Sequence, residues 1–493
     1  MRGMVKAGKG LTGEQQTGGK NALPHMVCPK KEVFNPYLPS WEYIPDGEPY
    51  VFGDRLYIFG SHDIFNGWVF CLGDYVCWSA PLEDLGEWRY EGIIYRKTDD
   101  PANKDGSMCL YAPDVTKGTD GRYYLYYVLD RLQTVSVAVS DTPAGSYQFY
   151  GNVHYSDGTL LGEKEGDQPQ FDPGVLLDRD KVYLYTGFCG KGDKSRHGAM
   201  VTVLGKDMLT VTKRPAIVVP GSEYSSGTGF EGHAFFEASS IRRIDDKYYF
   251  IYSSEVMHEL CYAVSDNPNK GFKYAGVLVS NCDIGINTYK PSDMAMADIA
   301  NNHGSIVEMN GKWYIFYHRH TNGTWYSRQG CAERLEKDSN GMFRQAEITS
   351  CGLNGGALEG KGLHPAYVAC NLYTGRTTDS GEGGMLPFIT QDGRDGDEEA
   401  GYIKNIQNMA TAGFKYFSCK GIKEIKIWTR GYFKGFFEVR IAWDGDCLAK
   451  IPVVFSNIWE ESQTKIVIPD GIWPVYLTFR GEGNGSLKAF ALY

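Results

Sequence analysis

The 493-residue sequence lacks any apolar run near the roughly 20 residues that a membrane-spanning helix needs. Its basic first residues also lack the apolar core of roughly 7–15 residues found in secretory signals. The 12 cysteines include no CxxC pair and no spacing typical of a zinc site. Because scattered thiols are typical of reducing compartments, we predict a cytoplasmic location, although a secreted chain without its signal would look the same.

Basic residues are fewer than acidic ones, 50 against 60, which gives a net charge of −10 at pH 7. This balance argues against nucleic acid or an anionic membrane surface as a partner. Hydrophobic residues make up 42% of the chain and charged residues 22%, as in a soluble globular protein. We expect residues 1–32, which are rich in Gly, Lys and Gln, to be disordered, and ordered structure to begin near residue 33.

One hairpin pattern occurs five times along the first three quarters of the chain. Each copy has a turn dipeptide followed by a strand with Tyr or Phe at alternate positions, which is the period of a strand. The copies align on tyrosines that lie 59 to 67 residues apart: Tyr57, Tyr124, Tyr183, Tyr249 and Tyr314. Such spacing holds four short strands, so the repeat predicts an all-β chain with a five-bladed β-propeller over 33–375. A long β-sandwich with chance similarity is the alternative.

The repeat also reveals a shared position on the strand before each hairpin. The residues 10 to 12 positions before the aligned tyrosines are Asp46, Asp114, Asp172, Glu237 and His303. The innermost strands of a propeller line its central channel, so we expect these five side chains to converge near the axis. Two carboxylates facing each other across a channel are the usual equipment of glycoside hydrolysis, one protonated as acid and the other ionised as base.

The C-terminal part begins with a Gly- and acid-rich segment at 376–401, interpreted as a linker or entry loop. Short strands with alternating apolar residues follow over 402–493, as in FFEVRI. This pattern favours a β-sandwich, with either a sugar-binding or a purely structural role.

The segments DGEP, APDV, FDP, FFEAS and NNHGS occur in this order, each ahead of an aromatic hairpin. Together they resemble glycoside hydrolase family 43 over roughly residues 34–375. The resemblance implies a five-bladed propeller with an inverting glycosidase activity on arabinose- and xylose-containing glycans. The tail from 376 onward is similar to a family 6 carbohydrate-binding module, a jelly-roll sandwich, in which Trp459 and Asn484 are the candidate ligand residues.

Carried over by position, the resemblance gives Asp46 as general base, Glu237 as general acid and Asp114 as the third acid that orients Glu237 and tunes its pKa. It also gives His303 as the residue beside a possible central Ca²⁺ ion. No organic cofactor is implied.

Arg328 and Asp172 are the predicted substrate-binding residues, although Asp172 could be purely structural. The sequence after the acid is Glu237-Ala238-Ser239, where the family often has Glu-Gly-Pro, and Glu231 therefore competes as the acid. Its register, 18 residues before Tyr249, disfavours it. The neighbouring His318 and His320 look like a metal clip without a third ligand.

These residues lead to the hypothesis of an exo-acting inverting enzyme that releases α-L-arabinofuranosyl residues from plant-derived oligosaccharides. A β-D-xylosidase is the alternative enzyme. A non-catalytic carbohydrate-binding propeller, in which the acids serve ligand or calcium binding, is the alternative from another class.

Overall fold

The structure is a computed structural model that describes residues 26–374, 387–393 and 401–493. It is built almost wholly of antiparallel β-strands with a few single-turn 3₁₀ helices: Lys97–Asp99, Pro101–Asn103, Ser222–Tyr224, Gly352–Asn354 and Ala366–Val368. The segment predicted to be disordered, 1–32, lies outside the described residues up to residue 25. Met26–Pro29 forms a strand at the edge of the first sheet, so that prediction is wrong for its last part.

Five sheets follow one another along the chain, which confirms the predicted five-bladed propeller. Blade one contains β1 (Met26–Pro29), β2 (Glu48–Phe52), β3 (Arg55–Phe59), β4 (Tyr75–Pro81) and β5 (Glu87–Tyr95). Blade two contains β6 (Leu110–Lys117), β7 (Tyr123–Leu129), β8 (Ser136–Ser140) and β9 (Gln148–Asn152). Blade three contains β10 (Gly174–Asp178), β11 (Lys181–Thr186), β12 (Gly198–Leu204) and β13 (Val211–Pro220). Blade four contains β14 (Phe235–Ile244), β15 (Lys247–Ser254), β16 (Glu259–Ser265) and β17 (Lys273–Ser280), and blade five contains β18 (Ile306–Met309), β19 (Lys312–His320) and β20 (Arg328–Leu335).

The aligned tyrosines lie on β3, β7, β11, β15 and β19, each of which is the second strand of its hairpin, and their rings are buried. Tyr183 packs in a cluster that also contains Phe250 of blade four, and Tyr249 packs in one that contains Ile315 of blade five. The alternating aromatic residues therefore form the apolar layers between neighbouring blades. This packing explains why the same pattern recurs in every copy.

The ring closes where blade five meets blade one. A bridge between Gly47 and Gly304 joins the segments that lead into β2 and β18. The side chain of Asn35 then exchanges two hydrogen bonds with the backbone of Ala332, at 2.9 and 3.1 Å. The N-terminal segment thus covers the outermost strand of the three-stranded last blade.

The C-terminal strands form one ten-stranded sheet that curls around an apolar core, consistent with the predicted β-sandwich. Its strands are β21 (Leu358–Glu359), β22 (Gly362–Pro365), β23 (Asn371–Tyr373), β24 (Phe388–Gln391), β25 (Gly401–Ile406), β26 (Thr411–Cys419), β27 (Ile422–Arg440), β28 (Ala449–Val453), β29 (Ser456–Ile468) and β30 (Gly471–Leu492). β21 to β23 pair with β26 and β30, so this sheet begins well before 402 and the propeller ends before 375. Of the predicted linker at 376–401, β24 is part of the sheet, whereas 376–386 and 394–400 lie outside the described residues.

The propeller and the C-terminal sheet meet through polar contacts. The buried ammonium of Lys415 lies 3.0 Å from Asp283 and 2.8 Å from Glu347, two propeller carboxylates. Nearer the channel, the backbone N–H of Asn322 donates to the carbonyl of Ile389 at 2.6 Å. The hydroxyl of Thr390 donates to the Asn322 side chain at 2.8 Å. β24 therefore holds the turn that connects β19 to β20.

In the part of the chain that the structure describes, no helix is long and apolar enough to cross a membrane.

Candidate active site

A cavity of about 520 Å³ opens where the inner strands of all five blades converge. Its lining contains the predicted Asp46, Asp172, Glu237, His303 and Arg328. The other lining residues are Phe70, Cys71, Tyr111, Ala112, Phe171, Phe188, Phe236, Met257, Asn301, Trp325 and Tyr326. Four of the five residues that share one register in the sequence therefore line the same cavity.

Asp46 lies just before β2 with a left-handed backbone (φ 57°), a conformation that Asp tolerates better than most residues. Its carboxylate is buried and accepts a hydrogen bond from the Arg328 guanidinium at 3.0 Å. Burial raises the pKa of such a group, but the charge of Arg328, with smaller effects of His303 and His318, lowers the pKa of Asp46 to about 2. Asp46 is therefore ionised at neutral pH.

Arg328 is held by a second carboxylate that the sequence analysis did not single out. Its Nε and one terminal nitrogen donate to the two oxygens of Asp63 at 2.9 and 3.0 Å, and its backbone N–H donates to the same group at 3.1 Å. The Cys71 backbone N–H also donates to Asp63, at 2.9 Å. This bidentate pair fixes the guanidinium beside Asp46. Asp63 is the last residue of the first repeat segment, shortly after β3 ends at Phe59, and that position is the only signal in the sequence that marks it.

Glu237 projects into the cavity from β14 at an irregularity in the ladder between β14 and β15. Ala238, the next residue, has a left-handed backbone (φ 66°), as at a β-bulge that redirects a side chain. Burial raises the pKa of Glu237 to about 8, with a further contribution from the negative charge of Asp46. The carboxyl is therefore protonated near neutrality, in contrast to Asp46.

Asp172 holds the bulge beside Glu237. It precedes β10, has a left-handed backbone (φ 43°), and accepts a hydrogen bond from the Ala238 N–H at 3.0 Å. Burial raises the pKa of Asp172 well above its usual range, and the neighbouring charges of Glu237 and Asp46 add to the shift. This carboxyl thus both fixes the backbone at Glu237 and crowds it electrostatically.

Asp114 does not reach the cavity, contrary to the role expected for it. It lies within β6, fully buried, and accepts hydrogen bonds from the Tyr50 hydroxyl at 2.7 Å and from the Val175 N–H at 2.7 Å. Blade two presents Tyr111 and Ala112 to the cavity instead. The sequence register placed Asp114 beside the other acids because it does not show how deep in the channel each inner strand begins.

His303 lies between two of the acids. Its Nδ1 is 3.8 Å from an oxygen of Asp46 and 3.7 Å from an oxygen of Asp172, and burial lowers its pKa. His318, discounted from the sequence, touches Asp46 as well: its Nδ1 accepts the Asp46 N–H at 3.4 Å. Its other nitrogen contacts the Asn301 carbonyl at 3.0 Å. Both histidines therefore surround the ionised carboxylate.

The structure also tests the competing candidates. The exposed carboxylate of Glu231 accepts hydrogen bonds from the backbone N–H groups of Gly227, Thr228 and Gly229, so it closes a surface loop away from the cavity. In the C-terminal sheet, Trp459 packs under the Arg430 guanidinium at 4.2 Å. The amide of Asn484 donates to Asn405 at 2.7 Å. Both contacts are internal to the sheet, and neither identifies Trp459 or Asn484 as a sugar ligand.

Aromatic rings form one continuous wall of the cavity. Consecutive rings along it lie 5.2 to 5.7 Å apart: Tyr111, Phe171, Phe188 and Phe236. On the opposite side, Phe70 contacts Tyr326 edge to face at 4.9 Å. Charged groups and aromatic rings in one cavity suit a sugar, whose hydroxyls need hydrogen bonds and whose C–H faces pack on rings. An ionised carboxylate and a protonated one in a single cavity are the two groups that glycoside hydrolysis requires as base and acid, and Asp46 and Glu237 have these charge states.

Comparison with known proteins also indicates a glycoside hydrolase. The family model "Glycosyl hydrolases family 43" matches residues 45–343. A xylosidase/arabinosidase of Thermoclostridium stercorarium is 65% identical, over 94% of this chain and 99% of its own length. A β-xylosidase of Xylanibacter ruminicola is 28% identical, over 62% of this chain and 98% of its own length.

Among solved structures, a β-xylosidase/α-arabinofuranosidase from a compost microbial metagenome, in complex with xylotriose and in a calcium-free form, is 26% identical with a TM-score of 0.50. It covers 64% of this chain and 98% of its own. An arabinoxylan arabinofuranohydrolase of Bacillus subtilis, in complex with cellotetraose, is 20% identical with a TM-score of 0.51 and covers 93% of this chain and 97% of its own. The latter likeness shows that both parts of the fold occur together elsewhere.

Proposed function

Because the chain belongs to glycosyl hydrolases family 43, we propose that it hydrolyses terminal pentosyl residues of xylan- and arabinoxylan-derived oligosaccharides. The observation that carries the proposal is one cavity with an ionised carboxylate, Asp46, and a protonated one, Glu237. It is a glycoside hydrolase of the xylosidase/arabinosidase type. Release of α-L-arabinofuranosyl residues and release of β-D-xylosyl residues are supported equally by the names of its relatives.

In the proposed reaction, Glu237 donates its proton to the glycosidic oxygen as the bond to the anomeric carbon breaks. Asp46 accepts a proton from a water molecule, whose oxygen attacks that carbon from the opposite face. The sugar leaves with inverted configuration, as is typical of the family. Afterwards Asp46 is protonated and Glu237 ionised, and exchange with solvent restores both groups.

The neighbouring residues position these two groups. Arg328, clamped by Asp63, keeps Asp46 ionised and presents its guanidinium to the cavity. Asp172, rather than Asp114, takes the role of the third acid, because it holds the backbone next to Glu237 and disfavours a second negative charge there. The rings of the cavity wall exclude water around the sugar and so strengthen the interactions of these charges.

A central calcium ion is part of the proposal as a structural and electrostatic element. One oxygen of the buried Glu48 carboxylate has no hydrogen-bond partner among the described residues, and its charge acts on His303. A hard cation prefers such oxygen ligands. Glu48 and His303 would hold the ion, largely through water, and its charge would support the ionised state of Asp46, which lies 3.8 Å from His303. A cytoplasmic location is proposed as well, and the free cysteines of the described residues support it.

The test is hydrolysis of 4-nitrophenyl α-L-arabinofuranoside and β-D-xylopyranoside by the wild type, Asp46→Asn and Glu237→Gln. We expect Asp46→Asn to lower kcat for these substrates by at least a thousandfold with an unchanged circular dichroism spectrum. Glu237→Gln should cause a comparable loss on xylo-oligosaccharides and a smaller one on the nitrophenyl glycosides, because nitrophenolate leaves with little need of a proton. The anomer of the first product, followed by proton NMR, tests inversion. Binding of xylo-oligosaccharides without turnover by the folded wild type would contradict the proposal and favour a non-catalytic binding propeller.

A further inference from the structure

Outside the cavity, blade four brings a histidine, a glutamate and a cysteine together. Glu259 and Cys261 lie two residues apart on β16, so their side chains project from the same face of the strand. His233 reaches them from the segment that leads into β14. None of these three residues lines the catalytic cavity.

The three side chains point their ligand atoms at one another. Nδ1 of His233 is 2.6 Å from Oε1 of Glu259, and Sγ of Cys261 is 3.2 Å from the same oxygen. Nδ1 and Sγ are 3.9 Å apart. The nitrogen, oxygen and sulfur therefore form a small triangle, and all three atoms lie within 4.8 Å of one another.

Neighbouring residues hold this triangle in place. The Ser254 hydroxyl donates to Glu259 Oε1 at 2.6 Å. The Tyr274 ring stacks on the His233 imidazole at 4.6 Å and 10°, which fixes the plane of the ring with Nδ1 directed inward. Orienting contacts of this kind are typical of metal-ligating side chains.

Access from solvent is possible on one side only. Glu259 and Cys261 are buried, whereas the His233 side chain is 36% exposed. An ion could therefore reach the triangle past the imidazole. The exposed side would leave a coordination position for water, as in zinc sites with three protein ligands.

We propose that His233, Glu259 and Cys261 form a binding site for a divalent cation of borderline softness, such as Zn²⁺. Imidazole nitrogen, carboxylate oxygen and thiolate sulfur are the ligands that this ion prefers. Bond lengths of about 2.0–2.3 Å in a tetrahedral site place ligand atoms about 3.3–3.7 Å apart. Binding needs the 2.6 Å contact between His233 and Glu259 to open by under about 1 Å. The proton between Nδ1 and Oε1 then moves to Nε2 of His233 or to solvent, and the thiol proton of Cys261 leaves to solvent as the Zn–S bond forms.

The alternative is an ion pair between His233 and Glu259 into which the Cys261 thiol donates, with no metal. The two readings differ in the state of the sulfur, since only the metal site contains a thiolate bound to the ion. Co²⁺ is the appropriate probe, because its bond to thiolate gives a charge-transfer absorption band and its coordination resembles that of Zn²⁺.

The experiment titrates chelator-treated full-length protein with Co²⁺ and then with Zn²⁺, following absorption. It uses a Cys447→Ser background, because Cys447 is exposed and could bind metal adventitiously. We expect a thiolate band that saturates at one equivalent and disappears on addition of Zn²⁺. Cys261→Ser should abolish the band, and His233→Ala should weaken binding at least tenfold, whereas Cys419→Ser, which removes a buried cysteine of the C-terminal core, should change neither.

His233 is partly exposed, so the His233→Ala variant should fold even if Cys261→Ser does not. Absence of the thiolate band in the wild type, or unchanged Co²⁺ affinity in His233→Ala, would overturn the proposal. Because the site does not include catalytic residues, glycoside hydrolysis by the His233→Ala variant should stay within about threefold of wild type. Failure of the proposed hydrolase function would leave these metal measurements unaffected.

Discussion

Replacing Arg328 by Met should shift both limbs of the pH profile of kcat/KM in the same direction. In the proposed mechanism, the wild type is active when Asp46 is ionised and Glu237 is protonated. The profile therefore rises as pH increases through the pKa of Asp46, about 2, and falls as pH increases through that of Glu237, about 8. Arg328 lowers the pKa of both carboxyls, so its removal should raise both.

The size of the acidic shift follows from the burial of Asp46. Without the Arg328 guanidinium, burial should raise the pKa of Asp46 at least to the ordinary value of 3.8. That change corresponds to about 2.5 kcal/mol of lost stabilisation of the carboxylate, at about 1.4 kcal/mol per pH unit. The wild-type profile should be flat down to about pH 4, whereas that of Arg328→Met should fall below about pH 5.

The assay is kcat/KM for the better nitrophenyl glycoside between pH 4 and pH 10, with circular dichroism and thermal unfolding at each pH. Breaking a buried ion pair typically costs about 3–5 kcal/mol, so a lower Tm is expected as well. Arg328→Lys is the matched control: it keeps the positive charge but loses the bidentate contact with Asp63, so its plateau should fall while its acidic limb stays in place. A lower plateau with both limbs unmoved in Arg328→Met would refute the assignment of Arg328 as the group that sets these pKa values.

Three further predictions concern the supporting residues. Asp172→Asn should lower kcat at least a hundredfold, because it replaces the carboxyl that holds the Ala238 N–H and interacts electrostatically with Glu237. Asp114→Asn should lower kcat less than tenfold, and equal losses in steady-state kinetics would contradict the assignment of Asp172, rather than Asp114, as the third acid. Asn322→Ala should raise KM several-fold with little change in kcat, because the turn that carries Trp325 loses its hydrogen bond to Thr390 of the C-terminal sheet. An unchanged KM would show that this contact does not shape the cavity. The proposed calcium ion should stabilise ionised Asp46, so its removal by a chelator should lower kcat of the wild type and added Ca²⁺ should restore it. In a Glu48→Gln variant, the change of kcat on adding Ca²⁺ should be smaller.

The repeat and its strands were predictable because they depend on local chemistry. Two signals mark each copy: Tyr or Phe at alternate positions, and a turn dipeptide before Tyr57 and each of its counterparts. Both signals span only a few residues, so they can be recognised without knowledge of the fold. The same regularity brought Asp46, Asp172, Glu237 and His303 to one cavity, as their shared register predicted. Four of the five residues in the register therefore lie where we expected them.

Other features of the site depend on contacts between distant segments. Asp63 and Arg328 are 265 positions apart, and nothing in the local sequence of either residue indicates their pairing. The start of the C-terminal sheet was also missed, because β21 to β23 are short strands whose partners, β26 and β30, lie far along the chain. Such pairings are decided by packing rather than by local preference.

The five blades, the shared position on each inner strand and the residue types found there all follow from local patterns along the chain. Which carboxyls reach the cavity, and in which charge state, depends on contacts that form only in the folded protein. Asp114 continues a regular strand and is satisfied by buried hydrogen bonds, whereas Asp46 and Asp172 precede their strands in left-handed conformations that expose them to the cavity. Burial and the placement of a single guanidinium then separate the pKa values of Asp46 and Glu237, and both depend on the complete ring of blades.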